Sequence, residues 1–376
     1  MRRYRIGIFG RGTATSDGGA DVFLRALNSR YATLGANDAV EIVPVHWSAW
    51  SHRRRPLRYL WCRVVRGFGG ELPLVDLRPV CRSLRLDMAY FAAPAFARID
   101  LPYIFTLWDI GHRTIPEFPE MRSGRDPWTH REALCRTMLG QASFVVTGNQ
   151  TGAMEAREMF GLSADKVVAI PFPNPDFSEV VEAVPAWLPP GSFVLYPAQF
   201  WPHKNHYTLL RALASLSARG QPVPALVCVG SDKGNLAYLR SCAQALGVAE
   251  KVLFPGFVSR GELKALYRRA TALVYPSLLG PNNLPPQEAA VLGCPMLLSD
   301  LPGHREQLQD GAVFVNPTDA VAWGEALARV TSDETLRVGL IRRAERAVSP
   351  YTAEAYITRV GELVSRMVES RRLWEM

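Results

Sequence analysis

The chain has 376 residues, the length of about two domains. Its 48% hydrophobic and 21% charged content is ordinary for a globular protein and excludes disordered, collagen-like and coiled-coil classes. The net charge is +8 and sits at one end, with sixteen arginines against eight acids in the first hundred residues and balance thereafter.

In chain order, residues 5–10 (RIGIFG) read as a buried strand rather than a signal peptide, because the apolar stretch ends at Arg11. Residues 39–46, 87–93, 102–109 and 143–148 repeat the pattern of short apolar runs separated by helix-length segments. Between the second and third lies SHRRRPLRYLWCRVVRGFGG, where Arg53, Arg54, Arg55, Arg58, Arg63 and Arg66 face no acid and alternate with apolar residues. Such a segment suits an anionic membrane surface. It also suits a solvated helix packed on the domain. No nucleic-acid motif accompanies it, and nucleic acid is not expected as a partner. The apolar run 88–97 is too short for a membrane-spanning helix, which needs ~20 residues.

Residues 171–191 hold six prolines and little periodicity, the pattern of a linker. After it, residues 193–199, 225–230, 251–257, 272–277, 295–299 and 312–315 read as six further strands. Leu209, Leu210, Leu213 and Leu216 line one face of a helix. Strand–helix alternation from end to end predicts an α/β protein of two Rossmann-like, doubly wound domains facing a central cleft. The boundaries read as 1–185, 186–350 and a C-terminal helix, 351–376, with Tyr356, Val360, Leu363, Val364 and Met367 in one stripe and the first domain as a candidate packing surface. Six scattered cysteines form no zinc or redox spacing and read as reduced thiols of a cytoplasmic protein.

Ligands of such sheets bind at the carboxyl ends of strands, and four segments there carry chemistry. After the first strand, Gly10 and Gly12 give an incomplete dinucleotide fingerprint, with Thr15 in the third glycine's place. Gly18 and Gly19 then open a helix whose bare amides suit a phosphate, or form a plain turn. TLWDIGHRTIPEFPE presents Asp109 and His112, catalytic candidates or structural loop contacts. FVLYPAQFWPHKNHYTLL sets Lys204 at a helix start, where a cation adds to the helix dipole for a diphosphate or is simply solvated. ALVYPSLLGPNNLPPQEAAVLGCP has a polar turn at Asn282 and Asn283, helix-presetting prolines at 285 and 286, and Glu288 in the first turn of the helix. A carboxylate there can accept from a ribose diol or simply complement the dipole.

The second half, from YPAQFWPHKNH through LLGPNNLPPQEAAVLGCP to SDLPGHREQLQDGAVFVNPTD, resembles the retaining family-4 glycosyltransferases of the GT-B fold. The likeness spans about 150 residues and is looser in the first half. The resemblance implies that the C-terminal domain binds a nucleotide-sugar donor and the N-terminal domain the acceptor. Lys204 would contact the donor diphosphate, Glu288 the ribose, Asn282, Asn283 and Leu284 the phosphate or sugar, and Gly256 with Phe257 the base. Gly18 and Gly19 would cap the diphosphate, with Asp109 and His112 beside the transferred sugar. Two positions depart from the family pattern: Gly280 replaces the first of two glutamates eight positions apart, and Gln199 stands for a basic residue after the donor domain's first strand.

No Asp-x-Asp pair occurs, so the expected mechanism is metal-independent, without a cofactor. Lys204 and helix-terminal amides would steady the departing nucleoside diphosphate. The reading is a retaining hexosyltransferase of surface-polysaccharide or O-antigen synthesis. Mannose or a deoxy relative such as rhamnose is the favoured sugar, and a GDP-sugar is favoured over UDP- and dTDP-sugars. The acceptor is a lipid-linked or oligosaccharide chain at the inner face of the membrane. A non-catalytic sugar-nucleotide-binding partner and an epimerase or phosphorylase of the same fold are the alternatives.

Overall fold

The computed structural model describes residues 3–10, 23, 27, 40–46, 75–93, 95, 97–122 and 128–374. The chain divides into two compact units. The first comprises Met1–Pro116, Met121–Pro173 and Tyr351–Met376, the second Glu117–Glu120 and Asn174–Pro350.

The first unit is built on β1 (Tyr4–Gly10), β2 (Val40–His46), β4 (Met88–Phe91), β6 (Tyr103–Leu107), β7 (Phe144–Thr147) and β8 (Val167–Ala169). These pair in the order β2-β1-β4-β6-β7-β8, all parallel. A separate short parallel pair joins β3 (Val75–Asp76) to β5 (Ala97–Arg98). Every residue of β4 and β6 is buried, as expected of a parallel sheet covered on both faces. The helix Gly111–Thr114 (α1) follows β6, and Trp128–Gln141 (α2) precedes β7.

The C-terminal helix Ala353–Trp374 completes this unit. Tyr356, Val360, Leu363, Val364 and Met367 are buried in one cluster with Tyr4, Ile6, Met88 and Tyr90. The Tyr90 and Tyr356 hydroxyls share a 2.7 Å hydrogen bond, and Arg371 donates to the Asp87 carbonyl at 2.8 Å. Each buried aliphatic side chain in such a stripe contributes ~1.5–3 kcal/mol relative to exposure.

The second unit is built on β9 (Phe193–Pro197), β10 (Ala225–Val229), β11 (Val252–Gly256), β12 (Ala272–Tyr275), β13 (Met296–Ser299) and β14 (Val313–Val315), ordered β11-β10-β9-β12-β13-β14 and parallel throughout. The strand order reverses between β9 and β12, the point at which doubly wound sheets bind ligands. Four helices bear on that point: His206–Ala218 (α3), Arg260–Arg269 (α4), Leu284–Val291 (α5) and Pro302–Leu308 (α6). The leucine face of α3 is buried as its spacing predicts.

The proline-rich stretch after residue 173 packs on this unit. Asn174 donates to the Val348 carbonyl at 2.7 Å, and the Lys264 ammonium donates to the carbonyls of Phe177 and Val180, both at 2.8 Å. The Ala183 amide donates to the Gly261 carbonyl at 3.1 Å. The α/β architecture expected from the alternation is present in both units. Only three-residue β8 and the β3–β5 pair have no counterpart in the sequence reading, being too short to show a period.

Candidate functional site

The site in the second unit begins with β9 and its loop. Tyr196 in β9 donates its hydroxyl to the Lys204 carbonyl, and the Leu278 amide donates to the His203 carbonyl at 2.9 Å. Residues 202–204 form a tight helical turn that ends at Asn205, whose φ of 57° is left-handed. Asparagine tolerates that conformation, and here its amide donates to the carbonyls of Pro276 and Pro317 at 3.0 and 2.7 Å. The loops after β9 and β12 are thereby bound together. His203 is held as well: its backbone N–H and ring Nδ1 lie 2.9 and 2.5 Å from Glu120 Oε1.

The Lys204 ammonium is consequently aimed along a fixed line. It donates to the Tyr275 hydroxyl at 3.0 Å and to Ser277 Oγ and Asn283 Oδ1, each at 3.4 Å. Lys204 Nζ lies 5.3 Å from the Tyr275 ring centroid. All three partners are neutral, and among the described residues no carboxylate pairs with this cation. A half-buried ammonium without a counter-ion retains an uncompensated attraction for an anion.

Asn283 is the residue before α5, yet its side chain does not cap that helix. It faces Lys204, accepts from the Tyr275 hydroxyl at 2.9 Å and lies 2.9 Å from His304 Nε2. Asn282 and Leu284 flank it, half-buried. Glu288 is the fifth residue of α5 rather than part of its first turn, because the helix starts at Leu284. Its carboxylate is buried and Oε2 accepts from the Tyr267 hydroxyl at 2.8 Å. Burial raises its pKa above the ordinary glutamate value, with the Tyr267 hydrogen bond and Arg260 opposing.

Gly280, the position of the missing glutamate, has φ of 155°. A Cβ there would lie 1.7 Å from Asn283 Nδ2, so the Asn283 carboxamide fills the space of a side chain at 280. Gln199 is exposed and accepts from the Trp201 indole at 2.9 Å. Gly256 ends β11 at φ 88°, and Phe257 beside it is 58% exposed. Tyr275, Ser277, Tyr267 and His304 were not singled out from the sequence, although ALVYPS and SDLPGHREQ contain three of them at strand ends.

In the first unit, Asp109 and His112 are each tied to α2. Asp109 Oδ1 accepts from the Gly111 amide at 2.9 Å and from Arg131 at 2.7 Å. The His112 imidazole is fully buried, with Nε2 3.1 Å from Glu132 Oε2. Burial lowers its pKa, and the Glu132 hydrogen bond acts against that. Glu132 also takes Arg113 and Arg136, and its pKa is depressed to about 2, chiefly by Arg113. Gly18, Gly19 and the Arg53–Arg66 segment lie outside the described residues. Among the described residues no group of three or more His, Cys, Asp or Glu is placed to hold a metal ion, and no helix is long and apolar enough to cross a membrane.

Residues 184–347 match the family model of glycosyl transferases group 1. The match covers somewhat less than half of the chain. The matched stretch coincides with most of the second unit, so Lys204, Asn283 and Glu288 all lie within it. The chain is 36% identical over 133 residues to the O-antigen chain mannosyltransferase RfbU of Salmonella typhimurium, covering 35% of this chain and 36% of that protein. It spans well under half the length of the first curated relatives it matches.

Solved structures extend the likeness to the whole fold. Sucrose-phosphate synthase from Thermosynechococcus elongatus superposes with a TM-score of 0.72 at 17% identity, covering 98% of this chain and all of that one. HepE from Anabaena, in complex with UDP and glucose, gives 0.66 at 17% identity, covering 97% and 100%. These likenesses show the GT-B fold.

Proposed function

We propose that the protein transfers a sugar from a nucleoside-diphosphate sugar to a saccharide acceptor. The observation that carries this reading is the Lys204 ammonium, fixed at the reversal of strand order by three neutral oxygens and, among the described residues, lacking an ion-pair partner. A diphosphate supplies the missing charge. As the anomeric bond breaks, negative charge grows on the leaving diphosphate, and a preorganised cation stabilises it without reorganising. Glu288, buried beside Tyr267, accepts from the ribose diol, and the start of α5 offers amides at Leu284 and its neighbours. Gly256 and Phe257 border the base, and Gln199 lies at the edge of the donor site.

Transfer proceeds with retention and no protein nucleophile, the acceptor attacking from the face that the leaving group vacates. On the acceptor side Asp109 orients the incoming hydroxyl. His112, enclosed with Glu132, holds the segment that carries Asp109. By the family resemblance, Gly18 and Gly19 would cap the diphosphate. The favoured donor is GDP-mannose or a GDP-linked deoxy relative, a reading supported by the similarity to RfbU. The favoured acceptor is a lipid-linked saccharide of a surface polysaccharide such as O-antigen, reached at the inner membrane face through the Arg53–Arg66 segment. Sedimentation with anionic but not neutral vesicles tests that last element.

The deciding experiment is a thermal-shift panel of GDP, UDP and dTDP on the wild type and Lys204→Met. A ligand at 100 times its Kd stabilises by ~2.7 kcal/mol. Stabilisation by none of the three, or equal stabilisation of both proteins, refutes the donor site. The Asn283 carboxamide where a glutamate is usual keeps a non-catalytic binding protein as the second reading. Turnover of a donor sugar by the purified protein excludes it.

A further inference from the structure

Helix α6, in the segment SDLPGHREQ, has no part in the donor contacts above, yet three of its residues meet the loop between β12 and α5. Gly303 lies so close that a Cβ there would sit 2.5 Å from the Pro281 carbonyl oxygen and 2.8 Å from that of Gly280. Gln307 donates its side-chain amide to the Asn283 carbonyl at 3.1 Å. His304, fully buried, places Nδ1 2.8 Å from the Ser299 carbonyl oxygen and Nε2 2.9 Å from Asn283 Nδ2.

A carbonyl oxygen only accepts, so the imidazole proton belongs on Nδ1 and Nε2 is a bare acceptor. The bare nitrogen must receive the Asn283 NH2 group. That choice, with a longer 3.4 Å donation from the same NH2 to the Leu279 carbonyl, fixes the carboxamide: with its donor end engaged by His304, its oxygen is turned to the Tyr275 hydroxyl and the Lys204 ammonium. The reversed amide would present N–H donors to a cation and leave Nε2 facing a carbonyl oxygen. Burial, with the Lys204 charge acting in the same sense, lowers the His304 pKa to about 4 and keeps the ring neutral near pH 7.

We propose that His304 is a positioning residue of the anion site: as the Nδ1–H tautomer it sets the Asn283 carboxamide, which in turn holds the Lys204 ammonium toward the ligand. The proposal rests on the reading of Lys204 as the diphosphate contact. The Asn283 carboxamide fills the volume beside Gly280, so the imidazole governs the group that stands in place of a side chain there.

Two measurements test it. In 15N-histidine-labelled wild-type protein, with the resonances assigned by loss in His304→Gln, His304 is expected at pH 7 as the neutral Nδ1–H form. An Nε2–H ring or an imidazolium overturns the proposal. In calorimetric titrations with whichever of GDP, UDP and dTDP binds best, His304→Leu is expected to weaken affinity about tenfold, and His304→Gln, which keeps an acceptor, less than about threefold. Wild-type affinity in His304→Leu, with binding lost in Lys204→Met, overturns the positioning role and leaves the donor site standing. Unchanged affinity in both variants overturns the donor site itself. Should His304→Leu fail to fold, the tautomer in the wild type decides.

Discussion

Replacing Lys204 by methionine separates ligand chemistry from folding. The ammonium has one hydrogen bond at 3.0 Å and two at 3.4 Å, all to neutral groups. The Tyr275-to-Asn283 bond at 2.9 Å does not depend on it. Methionine keeps most of the stem's contacts, so the cost to stability is small, within ~1 kcal/mol. The bound state loses a charge-assisted hydrogen bond to phosphate worth ~1.5–3 kcal/mol, about ten- to hundredfold in Kd. The transition state, with more charge on the leaving diphosphate, loses ~3–4 kcal/mol, about a hundred- to a thousandfold in turnover. Calorimetry with the three nucleoside diphosphates, initial rates of donor consumption and a melting curve measure the three quantities. Added salt should weaken the wild type more than the variant. A well-folded Lys204→Met protein with wild-type Kd and turnover would refute the reasoning.

Three other changes have distinct signatures. Glu288 has its pKa raised by burial, so the native state holds a proton the unfolded chain releases, and stability falls as pH rises from the unfolded value through the raised one. Glu288→Gln is therefore expected to melt no lower than wild type at pH 8 while binding nucleotide about tenfold more weakly; a lower melting point with unchanged binding contradicts this. Gly280→Ala places a Cβ 1.7 Å from Asn283 Nδ2 at a φ of 155°, which should cost ~1–3 kcal/mol and weaken nucleotide binding, read by denaturant titration and calorimetry. His112→Leu strips a buried partner from Glu132, and the expectation is ~1–3 kcal/mol lost in urea unfolding with turnover near wild type at low temperature. A large fall in turnover at unchanged stability would make the imidazole a catalyst.

Much of the architecture was legible because parallel strands buried on both faces leave continuous apolar runs such as MAYF and YIFTL. The proline-rich stretch holds the boundary between the units, after Pro173, but its packing on the second unit was not legible, since absence of periodicity says nothing about hydrogen bonds from side chains such as Lys264. In the site, Lys204 was legible because a lysine at a helix start has a local rationale. Its fixing by Tyr275, Ser277 and Asn283 spans 71 to 79 positions, and no short-range pattern encodes that. His304 was hidden for the same reason: its meaning lies in which ring nitrogen meets which amide. Glu288 was placed one residue too early because the prolines at 285 and 286 lie inside the first turn rather than before it.

The last helix closes the sheet with which the chain begins, joining Tyr356 to Tyr90 across 266 positions. Translation delivers residues in one direction, so the middle of the polypeptide emerges whole while the opening portion still lacks its final wall. Nascent protein therefore waits with the apolar surfaces of Tyr4, Ile6 and Met88 uncovered until synthesis has passed Met367. Stop codons placed shortly after residue 350 should consequently cripple the beginning of the protein rather than its end, and chaperone demand should peak late in translation.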